Sequence, residues 1–276
     1  MRRFAIVALS LGFCASAHAQ EPKRIVSLNM CTDQLLLALA QRDQIVGLSR
    51  FAGDEQLSFA ASEADGFPHL PAAAEAVIAL DPDLVLAGQF TNSAAKNMLR
   101  RLGYRVEEVP FVRSLEEAKA AIRLVGDIVD GKARAEQLNA AIDMAIKQQR
   151  SEADVSALLV QRRGYMTGTA SLTADLLDRL GITLASDGLV SSSGGFASLE
   201  ALVMAKPDLL VTASLVIEDE DQGAALLRHR ALAESFEPAQ RMALPERLTL
   251  CPGPSLIEAV HHIARERDAF LARRGD

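Results

Sequence analysis

The stretch SLNMCTDQLLLALA, Ser27 to Ala40, sets a polar cluster with a cysteine between an apolar strand-like run and a helical run. Cys31 falls near the start of that helix, with Thr32 read as the N-cap, so a thiolate there would be favoured. A cysteine nucleophile also needs a base within hydrogen-bond reach, and no histidine stands at the strand ends to serve. The G-x-S-x-G elbow is missing, and SSSGGFAS, Ser191 to Ser198, lacks the lysine of a phosphate-binding loop. Metal capture fails on histidine supply. His69 is in a proline-flanked loop, His229 is in a charged run, and His261 and His262 are helix neighbours about 100° apart, unable to chelate one ion together. No metal site and no cofactor is expected. A thiol enzyme using Cys31 and a direct Zn or Mn binder stand as rival readings.

The chain opens MRRFAIVALSLGFCASAHAQ, with two arginines, an apolar run, then Ala17-His18-Ala19 as a small-x-small site. This reads as a secretory signal over residues 1–19, cleaved to leave a periplasmic protein. Phe13 occupies the place before Cys14 where lipidation needs a small residue. Beyond Ala19 no run is apolar for long enough to cross a bilayer. Loss of Arg2 and Arg3 leaves 27 of the 29 basic residues against 36 acids, taking the formal charge from −7 to −9. A nucleic-acid or anionic-lipid partner is therefore excluded, since either needs a basic surface.

Short apolar β runs alternate with helical periods: RIVSL, QIVGLS, DLVLAG and YRVEEVP, then VSALLVQ, GITLAS, DLLVTAS and RLTLC. Such alternation predicts an α/β fold, with parallel sheets flanked by helices and four strands in each half. The halves also resemble each other: EAVIALDPDLVLAG from Glu75 matches EALVMAKPDLLVTA from Glu200 at an offset of 125 residues. TDQLLL at Thr32 pairs with TADLLD at Thr173, and SLEEA at Ser114 with SLIEA at Ser255. Both serine motifs read as capping boxes opening helices. These landmarks set an N-terminal lobe at 20–113, a rigid helical connector at 114–150 with a break at Gly131, and a C-terminal lobe at 151–276.

In open parallel sheets, ligands bind beyond the carboxyl ends of the strands. In the first lobe those positions are Asn29, Met30, Cys31 and Thr32, then Arg50 and Phe51, Gln89 and Phe90, and Pro110 and Phe111. The second lobe offers Tyr165, Met166, Gly195, Phe196 and Cys251. Two facing sets make an interlobe cleft whose Met, Phe and Tyr side chains suit a bulky, partly apolar ligand. Glu75 and Glu200 occupy equivalent places, each at the start of a short helix. Dipole stabilisation there is worth about 0.3–1 kcal/mol. One carboxylate per lobe could also dock onto a twofold partner presenting an arginine on each subunit.

RIVSLNMCTDQLLLALA, EAVIALDPDLVLAG, the helical connector, SLEALVMAKPDLLVTAS and LCPGPSLIEAV follow one another in an order that resembles the periplasmic substrate-binding proteins of ABC importers for vitamin B12, ferric siderophores and haem. The resemblance covers essentially the whole mature chain. It implies a monomeric binding protein, not an enzyme, that captures an iron complex or a corrinoid in the cleft. Delivery would be to a dimeric permease at the inner membrane, with Glu75 and Glu200 at the family's docking positions. B12 binders tend to use tryptophan at the pocket, and this chain has none; only Arg50, Arg162 and Arg163 are near enough to meet a carboxylate-rich siderophore. Haem stays open, with Tyr165 or Met30 as axial ligands.

The duplicated counterpart of Cys31 is not cysteine, and neither is that of Cys251, read as ending the fourth strand of its lobe. Each lobe has thus added one cysteine at a cleft-facing loop. Two free thiols lining the pocket are the default expectation, and a Cys31–Cys251 disulfide across the cleft is the alternative. A Cα separation above about 7 Å would exclude the latter.

Overall fold

The computed structural model describes residues 22–213 and 225–275; the signal segment expected at 1–19 lies outside the described residues. The first sheet contains β1 (Ile25–Ser27), β2 (Ile45–Ser49), β3 (His69–Leu70), β4 (Leu84–Gly88) and β5 (Val106–Val109). All pair in parallel, in the order β3-β2-β1-β4-β5. Between them run α1 (Met30–Leu39), α2 (Ala74–Ile78) and α3 (Ser93–Arg101). After α4 (Leu115–Ile128) and α5 (Lys132–Gln149) the pattern repeats with β6 (Val155–Leu159), the short β7 (Tyr165–Met166), α6 (Leu172–Arg179), β8 (Ile182–Leu184), β9 (Gly195–Phe196) and α7 (Leu199–Ala205). It finishes with β10 (Leu209–Thr212), α8 (Arg230–Ser235), β11 (Arg241–Ala243) and α9 (Ser255–Gly275). The second parallel sheet has the order β11-β10-β6-β8, while β7 and β9 form a separate antiparallel pair.

The order β2-β1-β4-β5 is repeated by β8-β6-β10-β11, so the sequence repeat is a structural one. Its most exact correspondence follows the short helices. Asp81 and Lys206, 125 residues apart, both adopt positive φ, 43° and 45°. Pro82 and Pro207 come next, then Asp83 and Asp208. Asp83 accepts hydrogen bonds from the backbone N–H groups of Lys23 and Arg24, and Asp208 from the N–H and hydroxyl of Ser156. Each aspartate thereby ties the start of the inner strand to the first strand of its own sheet.

Side-chain alternation then decides what each face covers. In β4, Leu84 and Leu86 enter one cluster while Val85 enters another; in β6, Val155, Ala157 and Leu159 are parted in the same way from Leu158. The outer faces pack on their own helices, α2 and α3 or α7 and α8. The inner faces of both sheets share one cluster with residues of α1, α4, α5, α6 and α9.

Three expectations need correction. The connector is helical, but it is a folded pair and not one strut. The chain reverses at Asp130, with φ 54°, and α5 returns along α4. Gly126 permits the contact, since a Cβ there would lie 2.5 Å from Ala135 Cβ. Lys119 bonds Asp143, and Arg123 bonds Glu136, across the pair. From this pair, Arg134 bonds the Leu39 carbonyl that ends α1, while Arg267 of α9 bonds the carbonyls of Gln149 and Leu180. The fourth strand of the second sheet is Arg241–Ala243, not RLTLC, because Pro245 interrupts the chain and residues 246–248 form a 3-10 turn. Leu248 is buried and Leu250 exposed, which imitates strand alternation inside a loop. Finally, Ser255 is the first residue of α9 and its hydroxyl donates to the Cys251 carbonyl, so it caps nothing. Ser114 does cap α4, accepting from Glu117 N–H, while Glu117 reaches back to Arg113 N–H.

Gly131 is the tightest point of the helical pair: a Cβ there would lie 2.2 Å from the Leu39 carbonyl oxygen. Gly131→Ala is expected to destabilise the protein by about 1–3 kcal/mol, an overpacking cost. Urea unfolding followed by circular dichroism measures it.

Candidate ligand-binding cleft

Asn29, not Thr32, caps α1. Its side-chain oxygen accepts from Cys31 N–H at 2.9 Å, and Gly88 leaves room for it, since a Cβ there would approach Asn29 Cγ to 2.9 Å. The expected cap, Thr32, is buried inside the helix, bonded to the Asn29 carbonyl and to Ser27 Oγ at 2.7 Å. It cannot serve as cleft wall. Met30, the first residue of α1, is half-buried.

Cys31 and Cys251 form a disulfide with a Cα separation of 5.0 Å. The default of two free thiols is therefore corrected, and the thiol-enzyme reading loses its nucleophile. The bond spans 220 residues and joins the start of α1 in the first lobe to the loop before α9 in the second.

On the first-lobe side a cavity of about 380 Å³ opens at the strand ends, lined by Leu28, Ser49, Arg50, Phe51, residues 70–73 and Asn92. Arg50 and Phe51 line this cavity, the guanidinium 4.5 Å from the ring centre. On the second-lobe side lies a smaller recess of about 50 Å³ between Leu159, Thr173, Ala213, Leu244, Thr249 and Leu250. None of the expected second-lobe residues lines this recess, although Leu250, next to Cys251, does.

Four of the expected cleft aromatics form two ring pairs, one per lobe. Phe90, 76% exposed, meets Phe111 with ring centres 5.6 Å apart. Gln89 holds the two loops together, its side-chain oxygen accepting from Phe111 N–H. Arg113 lies over the Phe111 ring, 5.6 Å from its centre. In the second lobe Tyr165 meets Phe196 edge-on at 5.5 Å, and Phe196 is 71% exposed. Tyr165 donates its hydroxyl proton to the Ser193 carbonyl. Gly195 builds this hairpin by pairing with Met166. Met166 itself is fully buried in the second lobe's outer core, which corrects its placement in the cleft. Among the described residues no group of three or more His, Cys, Asp or Glu side chains stands together to hold a metal ion.

Glu75 and Glu200 are exposed in the first turns of α2 and α7, one on each lobe. Glu200's own backbone N–H and the Ser198 hydroxyl hold its carboxyl below the usual carboxylate range. Both helices precede the inner strand of their sheet, so their N-termini lie toward the strand ends that form the cleft.

Sequence reasoning missed Leu70 to Ala73 and Asn92, because β3 is only two residues long and gives no periodic signal. It also missed Asp33, the one acid of α1. Asp33 is completely buried and accepts from the N–H (3.0 Å) and hydroxyl of Ser49, fixing the turn that presents Arg50 and Phe51. Burial pushes its carboxyl up to about 6, against the opposing pull of the Ser27 and Ser49 hydroxyls, Ser49 N–H and His69. The folded protein thus holds this proton more tightly than the unfolded chain does. Its contribution to stability is full below the ordinary value of 3.8 and is lost as pH rises toward 6. Asp33→Asn removes that loss. Relative to wild type, the variant should gain on the order of 3 kcal/mol between about pH 4 and about pH 8. Urea titrations of both proteins across that range check it, and parallel curves would contradict the assignment.

Residues 25–241 match a family model described as periplasmic binding protein. The cobalamin-binding protein of Halobacterium salinarum (strain ATCC 29341 / DSM 671 / R1) is 28% identical over 200 residues, 70% of this chain and 54% of that protein, so the chain spans about half that relative's length. The uncharacterized ABC transporter substrate-binding lipoprotein YvrC of Bacillus subtilis (strain 168) is 24% identical over 267 residues, 89% of this chain and 80% of that one. A periplasmic heme binding protein from Pseudomonas aeruginosa has the same fold, with a TM-score of 0.71 at 23% identity over 88% of this chain and 91% of that structure. With its two parallel sheets and intervening helical pair, this chain belongs to the periplasmic binding protein family.

Proposed function

We propose that the protein is the periplasmic ligand-capturing component of an ABC importer, working as a monomer after removal of its signal segment. It holds a flat, partly apolar iron complex or corrinoid between the lobes and delivers it to a dimeric permease. The carrying observation is the pair of exposed aromatic clusters, Phe90–Phe111 on one lobe and Tyr165–Phe196 on the other, at the strand ends. Large apolar rings stay this exposed when another surface is meant to cover them.

Arg50 stands against Phe51 at the cavity, and Arg113 against Phe111 of the first aromatic pair. In a protein with formal charge −7 they favour a ligand with acidic groups at its edge. Haem, flat with two carboxylates, satisfies both demands; the relative named for cobalamin supports testing a corrinoid beside it. Titration with hemin, cyanocobalamin and a ferric catecholate, followed by visible absorbance, discriminates among them. Phe90→Ala and Phe196→Ala are each expected to weaken binding of the ligand that passes this test by about five- to thirtyfold. Unchanged affinity in both would remove the aromatic clusters from the site.

Glu75 and Glu200 supply the docking points, one exposed carboxylate per lobe. Charge reversal at both, Glu75→Arg with Glu200→Arg, should abolish uptake into cells while leaving ligand affinity in solution within about twofold, because neither residue lines the cavity. Full uptake by the double variant would disprove the docking role.

A further inference from the structure

The disulfide does more than join two lobes that already share a core. Cys251 belongs to the connection at 244–254, between β11 and α9, and this connection supplies Leu244, Glu246, Thr249 and Leu250 to the second-lobe recess. The opposite side of that recess, Leu159, Thr173 and Ala213, stands on β6, α6 and the end of β10. The two ends of the connection are well anchored to their own lobe: Leu244 N–H donates to the Thr212 carbonyl, Leu248 is buried, and Ser255 begins α9. Between those anchors lie Pro252 and Pro254, which donate no hydrogen bonds. Here the connection reaches over to α1 of the first lobe. Cys251 is bonded to Cys31, and a Cβ on Gly253 would lie 3.8 Å from Leu35 Cδ2.

We propose that the Cys31–Cys251 disulfide is a tie that makes one wall of the second-lobe recess move with the first lobe. When the lobes spread, the tie draws Thr249 and Leu250 away from Leu159 and Ala213 and opens the recess. When the lobes approach, the wall returns and the recess shuts. Grip on a ligand is thereby coupled mechanically to lobe separation, and only in the oxidised protein. With the bond reduced to two thiols, the segment at 249–253 is released from the first lobe and the lobes can move without it. The coupling to ligand rests on the reading of the cleft as the binding site; the tie itself does not.

The test compares the oxidised full-length mature protein with the Cys31→Ser/Cys251→Ser variant. Should the variant fail to fold, wild type that has folded and then been reduced with tris(2-carboxyethyl)phosphine takes its place. Amide hydrogen exchange is measured first without ligand. The tie predicts that removing the bond speeds exchange at the amides of Thr249, Leu250, Cys251 and Gly253 by about tenfold or more, while β6 and β10 change by less than about twofold. Uniform acceleration through both lobes would mean a general staple, and no acceleration would mean an inert bond; either overturns the proposal. Hemin is the probe for the second measurement, and its dissociation should be about tenfold faster without the bond. Equal dissociation rates would refute the coupling to grip. Failure of hemin to bind either form would count against the ligand reading, leaving the exchange result to decide the tie.

Discussion

One continuous apolar core holds both sheets, and the cleft exists because of it. Ile25, Leu84 and Leu86 of the first sheet and Val155, Ala157 and Leu209 of the second turn inward onto the same helices. Burial of such side chains contributes roughly 1.5–3 kcal/mol each, so parting the sheets along this seam would expose far more than a ligand could repay. The remaining freedom lies at the strand carboxyl ends, above the seam, where the Cys31–Cys251 bond links the two lobes. Motion there is rocking over a fixed base and not wide hinge opening.

The duplication separates what the fold needs from what the site needs. Asp83 and Asp208, Asp81 and Lys206, and Glu75 and Glu200 recur at one spacing, and the first two pairs do local structural work in both halves. The cleft residues do not recur. Arg50 and Phe51 lead into turns that the second lobe lacks, the Tyr165–Phe196 hairpin has no partner in the first sheet, and the cysteines lie at non-equivalent points. A ligand held here meets two different jaws carried on two similar frames.

This division explains what the sequence made legible. The inner strands are buried along their whole length, so DLVLAG and DLLVTAS stand out as unbroken apolar runs. β3 and β11 are two and three residues long at sheet edges, where periodicity has no room to register. Thr32 looked like a cap because its type suits one, but Asn29 lies one step before the first helical residue and takes the role. Met166 looked like a contact because strand ends usually face ligands. Its hairpin turns the side chain inward and leaves Phe196 outside. The reversal between α4 and α5 was readable only as a break at Gly131; its direction depends on Gly126 meeting Ala135 and Gly131 meeting the end of α1.

A rigid base and a covalent link between the lobes fit the proposed role of binding a ligand and later releasing it. Preorganised jaws spare the ordering entropy that a flexible cleft would spend on closure, so affinity is gained without large motion. The same rigidity slows release, because thermal rocking alone rarely opens such a site. Under the proposed function, release would then fall to an outside agent that holds the lobes and spreads them. Such an agent needs a grip on each lobe separately, since force applied to the shared core or the α4–α5 pair would move both together. In the function proposed above Glu75 and Glu200 would be that grip: each is exposed, each lies on a short helix of its own lobe, and neither helix is part of the shared core.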